Sequence, residues 1–239
     1  MVRVHVLPPK LYLQIFKKRY FSTMSKNSTS FLVVIATIVL LFILVKFGAT
    51  KPKDNTDTKD NGLSYNLTFN PQDNFAGNPN ATVTLIEYSD FQCPACAYYH
   101  TVLNQLKMDY PDNVVFIYRN FPLPQHKNAK PAAYAVEAAA RQGKFWEMHN
   151  LIFENQTNWS DKNVADSLFE NYAKQLNIDI ERYRNDIKDP QISRKVDGQL
   201  VSGEKLNITG TPTFFLNGKQ IQANNIDEFK EKIDAELKK

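Results

Sequence analysis

The sequence predicts an α/β domain preceded by one N-terminal transmembrane helix. An apolar run at 31–45 that contains no charged residue predicts the membrane helix. Two strand-like runs, 83–86 and 113–120, flank a helical pattern, and two strands joined by a helix predict a parallel βαβ unit. The pair Asn217-Gly218 stands between two further strand-like runs, which predicts a hairpin, and a last helical pattern follows it.

Residues 1–30 are interpreted as a basic cytoplasmic leader, because they contain six basic residues and no acid. The whole chain has a formal net charge of +4, so the leader supplies its basic character and the remainder is slightly acidic. A nucleic-acid-binding domain would carry clustered Lys and Arg on its folded part, and this composition excludes it.

The apolar run extends to a transmembrane anchor at 31–47, near the lower limit of about 17 residues for a membrane span. A cleaved signal peptide is the alternative, but Phe47 stands where a small residue is expected if cleavage follows Ala49. No Cys directly follows the run, which excludes a lipoprotein. We therefore favour an uncleaved, single-pass anchor with the folded domain on the extracytoplasmic side of the cell membrane. Translation from Met24 would give a leader of more usual length.

The polar stretch at 48–80 is interpreted as a flexible linker. Within it, Pro and Gly residues at 70–80 are typical of a loop, and 65–69 is a candidate edge strand. The folded domain is predicted over 81–239, with an all-helical insertion over about 128–206. Inside the insertion, Ser160 is interpreted as the cap that starts a helix.

Both cysteines lie in the sequence Cys93-Pro94-Ala95-Cys96, between the first strand-like run and the first helical pattern. The N–H groups and the positive dipole end of a helix stabilise an anion, so a Cys at a helix start has a lowered pKa and reacts as a thiolate. Pro94 suits the first turn, because its missing N–H would be unpaired there. We expect Cys93 to be exposed and Cys96 to lie one turn along, near enough for a short disulfide.

Two cysteines at this spacing are also compatible with a metal site or a structural disulfide. A structural zinc site usually has four Cys or His ligands, and the chain has no third Cys. His100 follows Cys96 closely, which leaves a metal-binding or copper-delivery module using Cys93, Cys96 and His100 as an alternative. A disulfide across so short a loop constrains the unfolded chain little. Redox chemistry is favoured, provided that a strand–helix context surrounds the pair.

Four motifs resemble those of the DsbA-like thiol-disulfide oxidoreductases, in particular the membrane-anchored bacterial branch. They are, in this order, Glu87–Cys96 (EYSDFQCPAC), Phe121–His126 (FPLPQH), Gln142–His149 (QGKFWEMH) and Gly210–Gly218 (GTPTFFLNG). The resemblance covers about two thirds of the chain. It implies a thioredoxin fold whose two halves are separated by an all-helical subdomain.

The resemblance also implies roles for the residues around the cysteine pair. Cys93 is the nucleophile, Cys96 is the resolving thiol, and Glu87 is a buried acid that handles the proton of Cys96. From the residues alone, Glu87 is also compatible with a surface charge at a strand end. A buried carboxylic acid would have a raised pKa, which suits proton exchange near neutral pH.

Pro212 matches the cis-proline loop of the family, and an ordinary trans-proline at a strand start is the alternative. A cis bond there would place the Thr211 backbone against Cys93 and leave an edge that pairs with an extended substrate. Pro94, Ala95, Thr211 and Pro212 are therefore the expected substrate contacts.

The implied activity is that of an enzyme, a protein thiol-disulfide oxidoreductase. It would donate the Cys93–Cys96 disulfide to reduced or unfolded exported proteins through a mixed disulfide at Cys93. Its implied partner is a quinone-linked membrane oxidase of the DsbB or VKOR-like kind, and neither a cofactor nor a metal is expected. Ala95 stands where the best-known oxidising members have a His, so a reductase or isomerase of the same fold is the alternative. A redox-inactive binding scaffold is a further class.

Overall fold

The structure, a computed structural model, describes residues 67, 69–70, 72–163 and 165–239. The predicted leader and the predicted span at 31–47 lie outside these residues, as does most of the linker. Within the described part of the chain, none of the helices has the length and apolar character that a membrane crossing requires.

One mixed β-sheet forms the centre of the described residues. Its strands are β1 (Asn74–Gly77), β2 (Val83–Ser89), β3 (Val114–Asn120), β4 (Thr213–Leu216) and β5 (Lys219–Ile221). They lie in the order β1-β3-β2-β4-β5, in which β2 and β3 are parallel and every other neighbouring pair is antiparallel. The predicted βαβ unit and the predicted mixed sheet are therefore confirmed.

Helices connect and cover these strands. They are α1 (Pro94–Asp109), α2 (Ala129–Ala140), α3 (Phe145–Glu154), α4 (Gln156–Trp159), α5 (Ala165–Gln175), α6 (Ile180–Ile187), α7 (Pro190–Lys205) and α8 (Ile226–Leu237). Helix α1 joins β2 to β3, and α2 to α7 form an all-helical segment between β3 and β4. This is the insertion predicted over about 128–206. The hairpin prediction is confirmed as well, since Asn217 and Gly218 both have positive φ values, 46° and 77°.

Three apolar clusters hold the layers together. On one face of the sheet, Leu106 of α1 and Phe229 of α8 pack against strand residues such as Phe214. On the other face, Tyr88 and Phe215 pack with partly buried residues that include Leu200 of α7. The third cluster is the core of the helical insertion, and it includes both cysteines. The insertion therefore does more than cover the sheet, because its core reaches the predicted reactive site.

Three local interpretations were wrong. The loop expected at 70–80 contains β1, which pairs with β3 through partners such as Phe75 and Ile117. Residues 67 and 69 of the predicted edge segment are not in a strand. A turn-rich composition does not reveal this pairing, because the partner strand is distant in the sequence. Ser160 ends α4 and starts no helix, because its carbonyl accepts hydrogen bonds from Gln92 and Asn128.

Candidate active site

The cysteine pair lies where the central strand β2 passes into α1. Cys93 is the residue that caps the N-terminus of α1, with φ −73° and ψ 122°, and Pro94 occupies the first helical turn. Both cysteines are free thiols in this structure. The predicted position of the pair, at the positive end of a helix dipole, is confirmed.

Cys93 is less exposed than the sequence suggested. Only 8% of its surface is accessible, and Cys96 is fully buried, whereas Pro94 and Ala95 between them are exposed. The expectation of an exposed Cys93 is thus wrong, because the loop before β4 lies against it. The Cys93 sulfur lies 3.4 Å from the carbonyl oxygen of Thr211, to which the protonated thiol donates a hydrogen bond.

The loop that contacts Cys93 has the predicted proline geometry. The Thr211–Pro212 peptide bond is cis, and β4 begins at the next residue, Thr213. The Thr213 hydroxyl donates to the carbonyl of Gly210 over 2.8 Å, which closes the turn. Thr211 therefore lies beside Cys93 as expected, and a role of Thr211 and Pro212 in binding substrate stays a prediction.

The surroundings of Cys93 favour its thiolate. The thiol of Cys96 is the main cause, and the Thr211 side chain and the N–H groups of Cys96 and Ala95 add to it. Together they outweigh the effect of burial and lower the pKa of Cys93 to about 5. At neutral pH Cys93 is therefore a thiolate, which is the nucleophilic form and a good leaving group.

The pKa values of Cys96 and Glu87 are raised, whereas that of Cys93 is lowered. Burial, with the neighbouring Cys93 and Glu87, raises the pKa of Cys96 well above its ordinary value. Burial also raises the pKa of Glu87 to about 7, although Ser89 and the positive charge of Lys107 favour its carboxylate. Glu87 is 5% exposed, so it is no surface charge at a strand end. A carboxyl group with this pKa exchanges a proton readily near neutral pH.

Lys107 is a residue near this acid that the sequence did not single out. Together with Glu87, Tyr118 and Trp146 it lines a small cavity between α1, α3 and the sheet. Its ammonium lies 3.9 Å from the centre of the Trp146 ring. Burial lowers the pKa of Lys107 to about 8, and Glu87 opposes that change. Only the spacing of Lys107 along α1 could have indicated it.

Asp90 organises the turn between β2 and Cys93, and it was also missed. Its buried carboxylate accepts hydrogen bonds from the backbone N–H groups of Gln92 and Leu123, at 2.7 and 2.8 Å. It also pairs with His126 Nδ1 at 2.7 Å. The Cys93 N–H in turn donates to the Asp90 carbonyl over 3.1 Å. The motifs at 87–96 and 121–126 thus meet at one carboxylate.

The geometry does not support the alternative that uses His100 as a third metal ligand. His100 Nε2 is engaged with Asn150 Oδ1 and Asn104 Nδ2, each at 2.9 Å. Over residues 67, 69–70, 72–163 and 165–239, no group of three or more His, Cys, Asp and Glu side chains is arranged to hold a metal ion. The arrangement instead provides a thiolate at Cys93, a buried thiol at Cys96 and a buried acid at Glu87.

Comparisons with known proteins agree with this geometry. A protein-family model described as thioredoxin matches residues 70–235. The structure of oxidised BdbD from Bacillus subtilis is similar, with 28% identity, a TM-score of 0.63, and coverage of 70% of this chain and 94% of that chain. The structure of α-DsbA1 from Wolbachia pipientis gives a TM-score of 0.65 at 24% identity, over 72% of this chain and 94% of that chain. At that identity the likeness shows the fold.

A curated relative that carries the name of a Na(+)/H(+) antiporter also matches part of this chain. The Na(+)/H(+) antiporter NhaA 3 of Salinispora tropica is 37% identical over 150 residues, which are 62% of this chain and 22% of that protein. The match thus spans only about a quarter of the length of such relatives, which are much longer proteins. The chain itself belongs to the thioredoxin family, and its fold is that of the DsbA-like thiol-disulfide oxidoreductases.

Proposed function

We propose that this chain is a membrane-tethered disulfide oxidase that donates the Cys93–Cys96 disulfide to exported proteins. The observation that carries the proposal is the opposite perturbation of the two thiols, a pKa of about 5 at Cys93 and a raised pKa at Cys96. A stabilised Cys93 thiolate stabilises the reduced pair, and this makes the disulfide a stronger oxidant. Reported thiolate pKa values are about 3.5 for DsbA and about 7 for thioredoxin.

The first step begins with the oxidised pair. A substrate thiolate attacks the sulfur of Cys93, the bond between Cys93 and Cys96 breaks, and a mixed disulfide forms at Cys93. Cys96 leaves with the electron pair of the broken bond. Because the pKa of Cys96 is raised, its thiolate takes up a proton, and we assign Glu87 as the acid that supplies it.

The second step releases the product. A second thiolate of the substrate attacks the substrate sulfur of the mixed disulfide, and Cys93 leaves as its stable thiolate. Two electrons pass from the substrate dithiol to the pair, so the substrate is oxidised and the pair is reduced. Glu87 then regains its proton from solvent.

Another oxidant must then restore the disulfide. We assign this step to a quinone-linked membrane oxidase of the DsbB or VKOR-like kind, which accepts two electrons from the reduced pair. An N-terminal anchor at 31–47 would hold the domain on the extracytoplasmic side, near such a partner. The substrates are reduced or unfolded exported proteins. Their extended segments would pair with the backbone at Thr211 and Pro212.

The redox potential of the pair tests the direction of transfer. We expect an equilibrium titration of the full chain against glutathione, in detergent, to give a potential nearer to that of DsbA, about −120 mV, than to that of thioredoxin, about −270 mV. The Cys96→Ser variant, which has no resolving thiol, serves as the control and is expected to accumulate the mixed disulfide at Cys93. A potential near that of thioredoxin would contradict an oxidase and support a reductase.

A further inference from the structure

Three buried side-chain amides surround the turn that carries Cys93, and the reaction described above uses none of them. Gln92, Asn128 and Gln156 are each 8% exposed. Gln92 belongs to the turn itself, Asn128 precedes α2, and Gln156 begins the short helix α4. Two of the three therefore belong to the helical insertion and not to the half of the fold that holds the cysteines.

Gln156 contacts the backbone of the reactive residue directly. Its Nε2 donates to the carbonyl oxygen of Phe91 over 2.8 Å and to that of Cys93 over 2.9 Å. The Cys93 carbonyl also accepts the first hydrogen bond of α1, from the N–H of Ala97 at 3.2 Å. Gln156 of the insertion thus holds the turn at two carbonyls. One of them is that of Cys93, the residue that caps α1.

Gln92 and Asn128 extend the same connection. Gln92 Oε1 accepts from the Asn128 N–H, and Gln92 Nε2 donates to the Ser160 carbonyl, both at 2.7 Å. Asn128 Nδ2 contacts the carbonyls of Trp159, Ser160 and Lys162 at 2.9 to 3.1 Å. These bonds join the turn before Cys93 to the segment after α4, so the turn is held from the side of the insertion by amide hydrogen bonds.

The position of the Cys93 backbone matters for its chemistry. The stabilising effect of a helix N-terminus is confined to the first turn and depends on where the anion lies relative to the N–H groups. A Cys93 carbonyl that lost the Gln156 donor would be a buried acceptor with fewer partners, and the turn would be less firmly held at Cys93. The thiolate would then lie in a less favourable place at the end of α1.

We infer that Gln156 is a positioning residue through which the helical insertion holds Cys93 in its reactive orientation. The inference rests on the proposed function, because it concerns the reactivity of the same thiol. It gives the insertion a role in the chemistry, in addition to forming the core that surrounds Cys96.

Alkylation of the reduced full chain by iodoacetamide tests the inference. Gln156→Met keeps an unbranched side chain and removes the donor, and the modified residue is identified by peptide mass spectrometry. We expect the alkylation rate of Cys93 at pH 6 to fall about fivefold to tenfold, with the pH profile displaced to higher pH. Asn158→Met, on the exposed side of the same helix, is the matched control and should leave rate and profile unchanged.

Different results separate this inference from the proposed function. If wild-type Cys93 reacts no faster than an ordinary thiol at pH 6, the proposed function fails. If wild-type Cys93 reacts fast and Gln156→Met lowers only the melting temperature, with rate and profile preserved, the positioning role is overturned.

Should Gln156→Met not fold, Gln156→Glu provides the test. Its carboxylate opposes two carbonyls, but its protonated form donates, so its deficit relative to wild type should shrink from pH 7 to pH 4. A deficit independent of pH would overturn the role.

Discussion

Two buried glutamates, Glu87 on β2 and Glu137 on α2, have nearly the same exposure and opposite surroundings. Glu137 is 2% exposed and Glu87 is 5% exposed. Glu137 Oε1 accepts from Asn74 and Asn120 at 2.7 and 2.8 Å, and its Oε2 pairs with Lys195 at 2.7 Å. Glu87 Oε1 has no hydrogen-bond partner among the described residues.

The difference separates a carboxylate that stabilises the fold from an acid that exchanges a proton. A buried charge is tolerated when it is paired and hydrogen-bonded, and Glu137 meets that condition by joining β1, β3, α2 and α7. A buried carboxyl with fewer such partners favours its neutral form, and burial raises the pKa of Glu87 to about 7 although Ser89 and Lys107 oppose this change. Burial alone therefore does not reveal the function of a buried acid, whereas the number of its donors does.

The largest expected effect comes from removing Glu137, whose two carboxylate oxygens both have partners. Glu137→Ala removes the acceptor for two asparagine amides and the partner of Lys195, so we expect the free energy of unfolding to fall by about 3 kcal/mol. Urea denaturation measures it. The alkylation rate of Cys93 in the folded protein should be unchanged. Glu147→Ala on α3, which removes an exposed carboxylate paired with Lys144, is the control and should cost less than about 0.5 kcal/mol. Equal losses in both variants would contradict the distinction.

The next effect is the pH dependence of folding stability that Glu87 creates. Glu87 has a pKa of about 7 in the folded chain and 4.5 as its ordinary value. A raised pKa means that its contribution to stability is complete below pH 4.5 and is lost as pH rises through 7. The loss is about 3 kcal/mol, and Glu87→Gln should abolish it.

Unfolding of the reduced chain in denaturant at pH 5 and pH 8 measures how the contribution of Glu87 to stability changes with pH. We expect Glu87→Gln to gain about 2.5 kcal/mol relative to wild type between the two pH values, because titrating groups that do not interact with Glu87 cancel in the difference. Glu137→Gln provides the comparison at the other site and should be less stable than wild type at both pH values. A difference between Glu87→Gln and wild type that does not change with pH would show that Glu87 stays ionised in the fold.

Sequence patterns predicted the parts of this arrangement that are local. The strand before Cys93, the helix after Pro94 and the Asn217-Gly218 turn follow from spacing and residue type, and the resemblance supplied Pro212 and Glu87. The partners of the two glutamates were not predictable in the same way. Asn74 lies 63 residues before Glu137 in the sequence, and no pattern within a strand or a helix encodes which distant donors meet a given acid.

The smallest effect concerns Lys107, whose charge favours the ionised form of Glu87. Lys107→Met should raise the pKa of Glu87 further, so that the loss of stability begins at a higher pH. A double-mutant cycle with Glu87→Gln, measured between pH 4.5 and 7.5 to avoid the titration of Lys107 itself, should give a coupling of about 1 kcal/mol. Lys130→Met, which removes an exposed ammonium paired with Asp197, is the control and should show no coupling. If both lysines gave none, burial and Ser89 would set the pKa of Glu87 without a contribution from Lys107. Lys107 would then be a packing residue against Trp146, and the two glutamates would differ solely in their hydrogen-bond donors.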